Sequence, residues 1–380
     1  MNVVLEPYKN LEMEHSRRGL LRLTAGGLAF ITGVGATSSS TYASSGLKDV
    51  ALARGIEIGS AFNGWFHKPL LRLLIENCDV ITPENAMKAA NISADDGRTL
   101  TPGVMDDIAT FCSKNRMRIH GHTLFWHQSL PNWLQTSDFK QTKKAYLQHL
   151  RFVMTRYPQA TSWDVVNEVM SDQKRPYRAL PVLDTHGDAF VGFLFETARE
   201  LAPKANLVIN DYNLACGTEF CDEKRGRLVT SLERLLRAGI PIDAVGIQAH
   251  LAPRWPVVST SLQAFLTDIG DLGVDVFITE LDVNDIDLPD DVSARDQSVA
   301  QIYADFLEAA LENQVVKRVS FWGLTDKFHW IVEGYAPFSR SGSPPRPALF
   351  DQDLQPKPSY FAVRDALSRA PKRESSRLPR

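Results

Sequence analysis

Ser162-Trp163-Asp164-Val165-Val166-Asn167-Glu168 is the stretch whose reading decides the fold. It is short, mostly apolar and β-branched, so it reads as a buried strand, and it ends in an amide and a carboxylate. A second run, Val276-Phe277-Ile278-Thr279-Glu280-Leu281-Asp282, has the same make-up and the same kind of ending. A carboxylate at the C-terminal tip of a buried parallel strand is where barrel enzymes put their chemistry. Two of them, far apart in sequence, suggest a cooperating pair.

Outward from these runs the chain alternates strand-like and helix-like segments. Strands are expected at 56–61, 80–83, 118–124, 163–167, 206–211, 244–250, 274–281 and 318–323. Helical patterns fall between them, among them 142–157, 188–201, 219–238, 262–272 and 294–313, and a last helix covers 360–368. Eight β/α units predict one α/β domain over residues 47–370, a (β/α)₈ TIM barrel. A doubly wound sheet would carry a Gly-rich phosphate loop after its first strand. Phe62-Asn63-Gly64-Trp65 stands there instead, with neither a GxGxxG run nor a GxxxxGK loop. The charged segment 371–380 is expected to be an unstructured tail.

The ends of the chain and its composition set further bounds. Ser16-Arg17-Arg18-Gly19-Leu20-Leu21-Arg22 is a twin-arginine run, followed by an uncharged Gly- and Ala-rich stretch and a Ser/Thr tract ending in Thr41-Tyr42-Ala43. Residues 1–43 therefore read as a twin-arginine-type signal peptide, implying the twin-arginine export machinery and a periplasmic or extracellular destination. The apolar stretch is short and carries five glycines between Gly19 and Gly35, so no lasting membrane insertion is expected once the signal is removed. A net charge of −3 over 380 residues gives no bulk attraction to nucleic acid. The cysteines are Cys78, Cys112, Cys216 and Cys221, with no CxxC pair, which argues against a structural zinc site. Cys216 and Cys221 flank one short segment; a bridge in an oxidising compartment and two free thiols are both open.

In a barrel the polar residues after each strand share one rim. They are Glu84, Asn85 and Lys88; His122, Trp126 and His127; Asn167 and Glu168; Tyr212 and Asn213; Gln248 and His250; Glu280 and Asp282; Trp322 and Asp326. Cleaving a glycosidic bond needs a proton for the leaving oxygen and stabilisation of a cationic ring, which two carboxyl groups supply if their environments push their pKa values apart. Glu168, with Asn167 beside it and an apolar strand behind it, suits the protonated acid. Glu280 suits the ionised partner, held by His250, with Asp282 orienting that histidine. Carboxyl groups about 5 Å apart would retain configuration through a covalent intermediate. Trp126, Trp322 and Trp330 offer faces for sugars, and Asn85, Gln248 and Lys88 offer hydrogen bonds to hydroxyls, the mixture a carbohydrate cleft requires.

These residues lie in seven ordered stretches: Thr82-Pro83-Glu84-Asn85-Ala86-Met87-Lys88, Gly121-His122-Thr123-Leu124-Phe125-Trp126-His127, Trp163-Asp164-Val165-Val166-Asn167-Glu168, Asn210-Asp211-Tyr212-Asn213, Gly246-Ile247-Gln248-Ala249-His250-Leu251, Ile278-Thr279-Glu280-Leu281-Asp282 and Phe321-Trp322-Gly323-Leu324-Thr325-Asp326. Together with Lys357-Pro358 they make the chain resemble the family 10 glycoside hydrolases, the family of endo-1,4-β-xylanases. The resemblance implies a retaining hydrolase of xylan and xylo-oligosaccharides with no cofactor and no metal. It makes Glu168 the acid/base, Glu280 the nucleophile and Asn167 the partner of the sugar 2-hydroxyl beside the scissile bond. His122, Trp126, Gln248, His250 and Trp322 would surround the sugar that becomes covalently bound. Glu84, Asn85, Lys88 and Trp330 would surround that sugar and the next one on the glycone side, and Tyr212 would line the leaving-group side. The chain departs from the family's pattern after the lysine, where Ala89-Ala90 replace Trp-Asp, and after His127, where Gln128-Ser129 stand; both changes touch the glycone side.

Three rival readings are weighed against this one. β-1,4-glucan could replace xylan on the same barrel. His120 and His122 point the same way from one strand, which would suit a metal-dependent hydrolase if further ligands joined them. A non-catalytic sugar-binding barrel would leave the two glutamates without a task. Trp163 and Trp133 read as packing residues, while Trp65 and Trp255 are assigned neither way.

Overall fold

The runs rich in valine, isoleucine and phenylalanine fold as short parallel strands, and the amphipathic segments between them as helices, in the computed structural model. It describes residues 46–94, 99–134, 138–334 and 343–373; the expected signal peptide lies outside these. The strands are β1 (Glu57–Phe62), β2 (Val80–Pro83), β3 (Arg118–Gly121), β4 (Ala160–Asn167), β5 (Asn206–Asp211), β6 (Ala244–Ile247), β7 (Asp275–Val283) and β8 (Val316–Phe321). Each pairs in parallel with its neighbours in sequence, and β1 also pairs with β8, so the sheet closes on itself as a (β/α)₈ barrel.

Side chains cap the starts of three of the longer helices. Asp138, Thr218 and Asp291 accept hydrogen bonds from the backbone N–H three residues on, at the starts of Phe139–Arg156, Glu219–Arg237 and Val292–Glu312. In Phe139–Arg156, Thr142, Tyr146, His149, Leu150 and Val153 are buried, the spacing of one helical face turned to the barrel. Gly121 lets β3 and β4 approach: a Cβ there would lie 2.1 Å from the Trp163 ring, which is itself fully buried, as a packing residue should be. At the N-terminal end of the barrel, the Arg318 guanidinium lies over the Phe277 ring. It donates to Glu57 Oε2 at 2.7 and 2.9 Å and to Ser162 Oγ at 2.8 Å.

Several boundaries differ from expectation, three of them for identifiable reasons. β3 stops at Gly121 rather than Leu124, because Leu124 N already donates to Asp164 O outside the regular ladder. The sixth strand breaks after Ile247, where Ala249 takes φ 60°, and resumes as His250–Leu251 beside Asp282–Val283 of β7. The ordered fold also reaches past 370. Arg373 is buried, and its guanidinium donates to the carbonyls of Val316, Leu311 and Asn313, so the expected loose tail does not begin at 371. Among the described residues no helix is long and apolar enough to cross a membrane.

Candidate active site

At the C-terminal end of β4 the chain leaves the sheet through a left-handed residue, Glu168, with φ 55°. Such a conformation costs a side-chain-bearing residue on the order of 1–3 kcal/mol and is kept where the surroundings over-determine it. Glu168 N donates to Asn210 O at 2.8 Å, and Glu168 O accepts from Arg178 Nε at 3.0 Å. The carboxyl group is 3.3 Å from Gln248 Nε2 and 3.5 Å from Asn167 Nδ2. Burial raises its pKa, and the charges of Asp211 and Glu280 add to that rise, against the N–H groups of Trp126 and Gln248.

Glu280 on β7 is placed differently. Its Oε1 accepts from Asn210 Nδ2 at 2.8 Å, and its Oε2 lies 3.2 Å from His250 Nε2. The other imidazole nitrogen, Nδ1, is 2.9 Å from Asp282 Oδ1, and Asp282 Oδ2 accepts from Trp330 Nε1 at 2.7 Å. Burial alone would discharge His250; Asp282, and then Glu280, outweigh it and raise its pKa to about 10. An imidazolium therefore faces Glu280 at neutral pH, the arrangement expected of an ionised partner.

A chain of amides links the two carboxyl groups. Asn210 Nδ2 donates both to Glu280 Oε1 and, at 2.8 Å, to Asn167 Oδ1, while Thr279 Oγ1 donates to Asn210 Oδ1 at 2.7 Å. Gln248 Nε2 then bridges Asn167 Oδ1 at 3.4 Å and Glu168. Gly246 on the adjacent β6 makes room, since a Cβ there would sit 2.2 Å from Asn210 Oδ1. In the sequence Asn210 belongs to the motif Asn210-Asp211-Tyr212-Asn213 with no role assigned to it. The signal available was a polar residue at the end of the apolar run Leu207-Val208-Ile209, beside a glycine on the next strand.

The remaining rim residues fall into three groups. His122 Nδ1 is 2.7 Å from Asp164 Oδ2, and its ring meets Trp322 edge to face at 5.2 Å. Asp164 is buried, which opposes its charge, yet His120 and His122 hold its pKa down to about 2. His120 Nε2 lies 3.0 Å from the same Asp164 oxygen, so the two histidines weighed above as metal ligands close on a carboxylate instead. On the next side, Lys88 Nζ donates to Asn85 Oδ1 at 2.8 Å and lies 4.6 Å from the centre of the Trp126 ring; Asn85 in turn donates to Glu84 Oε1 at 3.1 Å. Surrounding protein lowers the Lys88 pKa against the pull of Glu84, Glu280 and Glu168. Beyond β5, the Tyr212 hydroxyl is held by Asp172 and by Arg178 Nη2 at 2.6 Å, and buried Lys224 lies 3.6 Å from the centre of its ring.

Asp326 does not join the rim: it is buried and paired with Lys357 Nζ at 2.9 Å. The two departures noted in the sequence meet each other, Ala90 N donating to Ser129 Oγ at 3.3 Å, while Gln128 is exposed. Cys216 and Cys221 form a disulfide. Chemically, the site holds one carboxyl group whose surroundings favour the proton and a second that faces a cation, linked by three amides under aromatic rings. That is the equipment for protonating a leaving group on one side of an acetal carbon while a carboxylate attacks from the other.

The family model for glycosyl hydrolase family 10 matches residues 46–366. Endo-1,4-beta-xylanase B of Thermotoga neapolitana is 30% identical over 293 residues, which is 76% of this chain and 80% of that protein. An endo-1,4-beta-xylanase of Geobacillus stearothermophilus is 30% identical over 328 residues, 82% of this chain and 96% of that protein. Native xylanase 10B from Thermotoga maritima superposes with a TM-score of 0.75 at 28% identity, over 85% of this chain and 98% of that one. Xylanase 10B from Thermotoga petrophila RKU-1, solved with xylobiose, gives 0.75 at 27% identity, over 88% of this chain and 98% of that one.

Proposed function

This chain belongs to glycosyl hydrolase family 10, and from that membership we propose that it is a retaining endo-1,4-β-xylanase in which Glu168 is the acid/base and Glu280 the nucleophile. In the first step the Glu280 carboxylate attacks the anomeric carbon, and Glu168 gives its proton to the departing glycosidic oxygen. In the second, Glu168 takes a proton from water, which attacks the same carbon and frees Glu280. The observation that carries this reading is the divided environment of one connected site: Glu168 is pushed towards its acid form, while Glu280 faces a charged His250.

The other residues then take their parts. Asn167, fixed by Asn210, meets the sugar 2-hydroxyl. His122, Trp126, Gln248 and Trp322 surround the sugar that becomes covalently held. Glu84, Asn85, Lys88 and Trp330 reach it and the next sugar on the glycone side, and Tyr212 lies towards the leaving group. The twin-arginine run before Ala43 supports export by the twin-arginine route to the periplasm or beyond. The Cys216–Cys221 disulfide supports an oxidising destination.

Two measurements test the roles. Glu168→Ala should lose far more activity on xylan than on a nitrophenyl xyloside, whose leaving group needs no proton; equal losses would remove Glu168 from the acid role. A 2-fluoro xyloside should label Glu280, and label on any other residue would overturn that assignment.

A further inference from the structure

The loop after β1 carries a tryptophan that the proposed mechanism leaves unused. Trp65 is 56% exposed, unusual for so large an apolar side chain. It is nonetheless held in place. One face of its ring stacks on Phe328 with centroids 6.2 Å apart and planes 21° from parallel. Trp65 N donates to Asn63 Oδ1 at 3.2 Å, and Asn63 Nδ2 reaches Phe328 O at 3.4 Å, so one asparagine ties the loops after β1 and β8 together. The next residue, Phe66, has a different task, packing edge-on against Phe62 and Phe111.

The place of this ring gives it a direction. Asn63, Phe328 and Glu84 line one small recess, and Phe328 stands two residues before Trp330, whose indole N–H is bonded to Asp282. The tryptophan thus continues the cleft past Glu84, on the side assigned to the glycone. A fixed aromatic face backed by a second ring matches the apolar C–H face of a pyranose.

We infer that Trp65 is an outlying sugar platform, stacking on a residue of the β-1,4-linked chain beyond the sugars held by Glu84, Asn85 and Lys88. This rests on the reading of the cleft as a site for such a chain. The test compares Trp65→Ala and Trp65→Phe with the parent on xylohexaose and on an aryl xylobioside too short to reach the loop. Calorimetric titration with xylohexaose in a Glu280→Gln background reports affinity without turnover. Trp65→Ala should lower kcat/KM on xylohexaose by about 3- to 10-fold, weaken its binding by a similar factor, and leave the aryl xylobioside unchanged, with Trp65→Phe between. Unchanged hexaose affinity, no hexaose binding by the parent background, or equal loss on the short substrate would each overturn the platform. A parent protein that cleaves neither substrate would overturn the functional reading instead, and the calorimetric comparison would still decide about Trp65.

Discussion

Replacing Asp282 by asparagine probes the electrostatics on which the proposed nucleophile, Glu280, depends. Asp282 offers one oxygen to His250 Nδ1 at 2.9 Å and the other to Trp330 Nε1 at 2.7 Å. Trp330 Nε1 is an N–H donor, and so is the protonated His250, so an amide of the same shape must turn its NH₂ towards one of them and lose that bond. The larger effect is on charge. Burial opposes the imidazolium, and Asp282 is the strongest influence that raises the His250 pKa from 6.5 to about 10. At 1.36 kcal/mol per pH unit that rise caps the stabilisation near roughly 5 kcal/mol. With 28% of the side chain open to water, a discounted figure is on the order of 2–3 kcal/mol. A group whose folded pKa is raised stabilises fully below its unfolded pKa, and that contribution is lost as pH rises through the folded value. The variant should therefore be least stable relative to the parent below about pH 6.5. The charge-dependent part of the gap should close as pH rises towards about 10. Urea denaturation from pH 5 to 10 measures the gap, and nitrogen NMR of the imidazole follows the charge directly. A variant His250 still protonated above pH 9, or a stability gap that does not change with pH, would refute this account.

Two further outcomes follow from the same geometry. Gln248→Leu removes an N–H that favours ionised Glu168 at 3.3 Å. The acid form should persist to higher pH, and the alkaline limb of kcat/KM should move up by less than about one pH unit, whatever the loss in absolute rate; a limb moved down would contradict the burial argument. The Cys216–Cys221 bridge closes a loop of sequence separation 5. Its replacement by two serines should lower unfolding free energy by about 2 kcal/mol in chemical denaturation, and two free thiols in the unreduced protein would sink the assignment.

The barrel was legible because buried parallel strands are written as compact β-branched runs, and because their polar endings fall at matching places. Less legible was what happens inside a strand. Asp164 lies within Trp163-Asp164-Val165 and carries no sign in sequence of receiving two histidines. Asn210 and Gly246 become a functional pair only when β5 and β6 lie side by side. The break at Ala249 was hidden for another reason: alanine in a left-handed conformation is not a residue preference, and it is held there because His250 must reach both Glu280 and Asp282. The disulfide was undecided because spacing permits a bridge without requiring one. Lys357 matched a motif at its position, but its partner Asp326 was placed on the rim, since ion pairing across 31 residues has no local signature.

Position along the barrel axis separates the structural charges from those available for chemistry. At the N-terminal end, Arg318 donates to Glu57 and to Ser162, and Glu57 also accepts from Arg118. Such a pair, taken out of water, stays charged only because its geometry is saturated. His120 carries the polar contacts upward: one ring nitrogen lies near Arg318 and Ser162, and the other near Asp164, which then meets His122 at the rim. A column of polar side chains therefore runs through the barrel interior and ends at the rim. At its upper end the saturation stops. Glu168 meets the Trp126 N–H and, at 3.3 and 3.5 Å, two amides, and among the described residues no cation is paired with it, so burial still dominates. The same cost that Arg318 and Glu57 cancel between them is retained at Glu168, as a raised affinity for the proton that the leaving group needs.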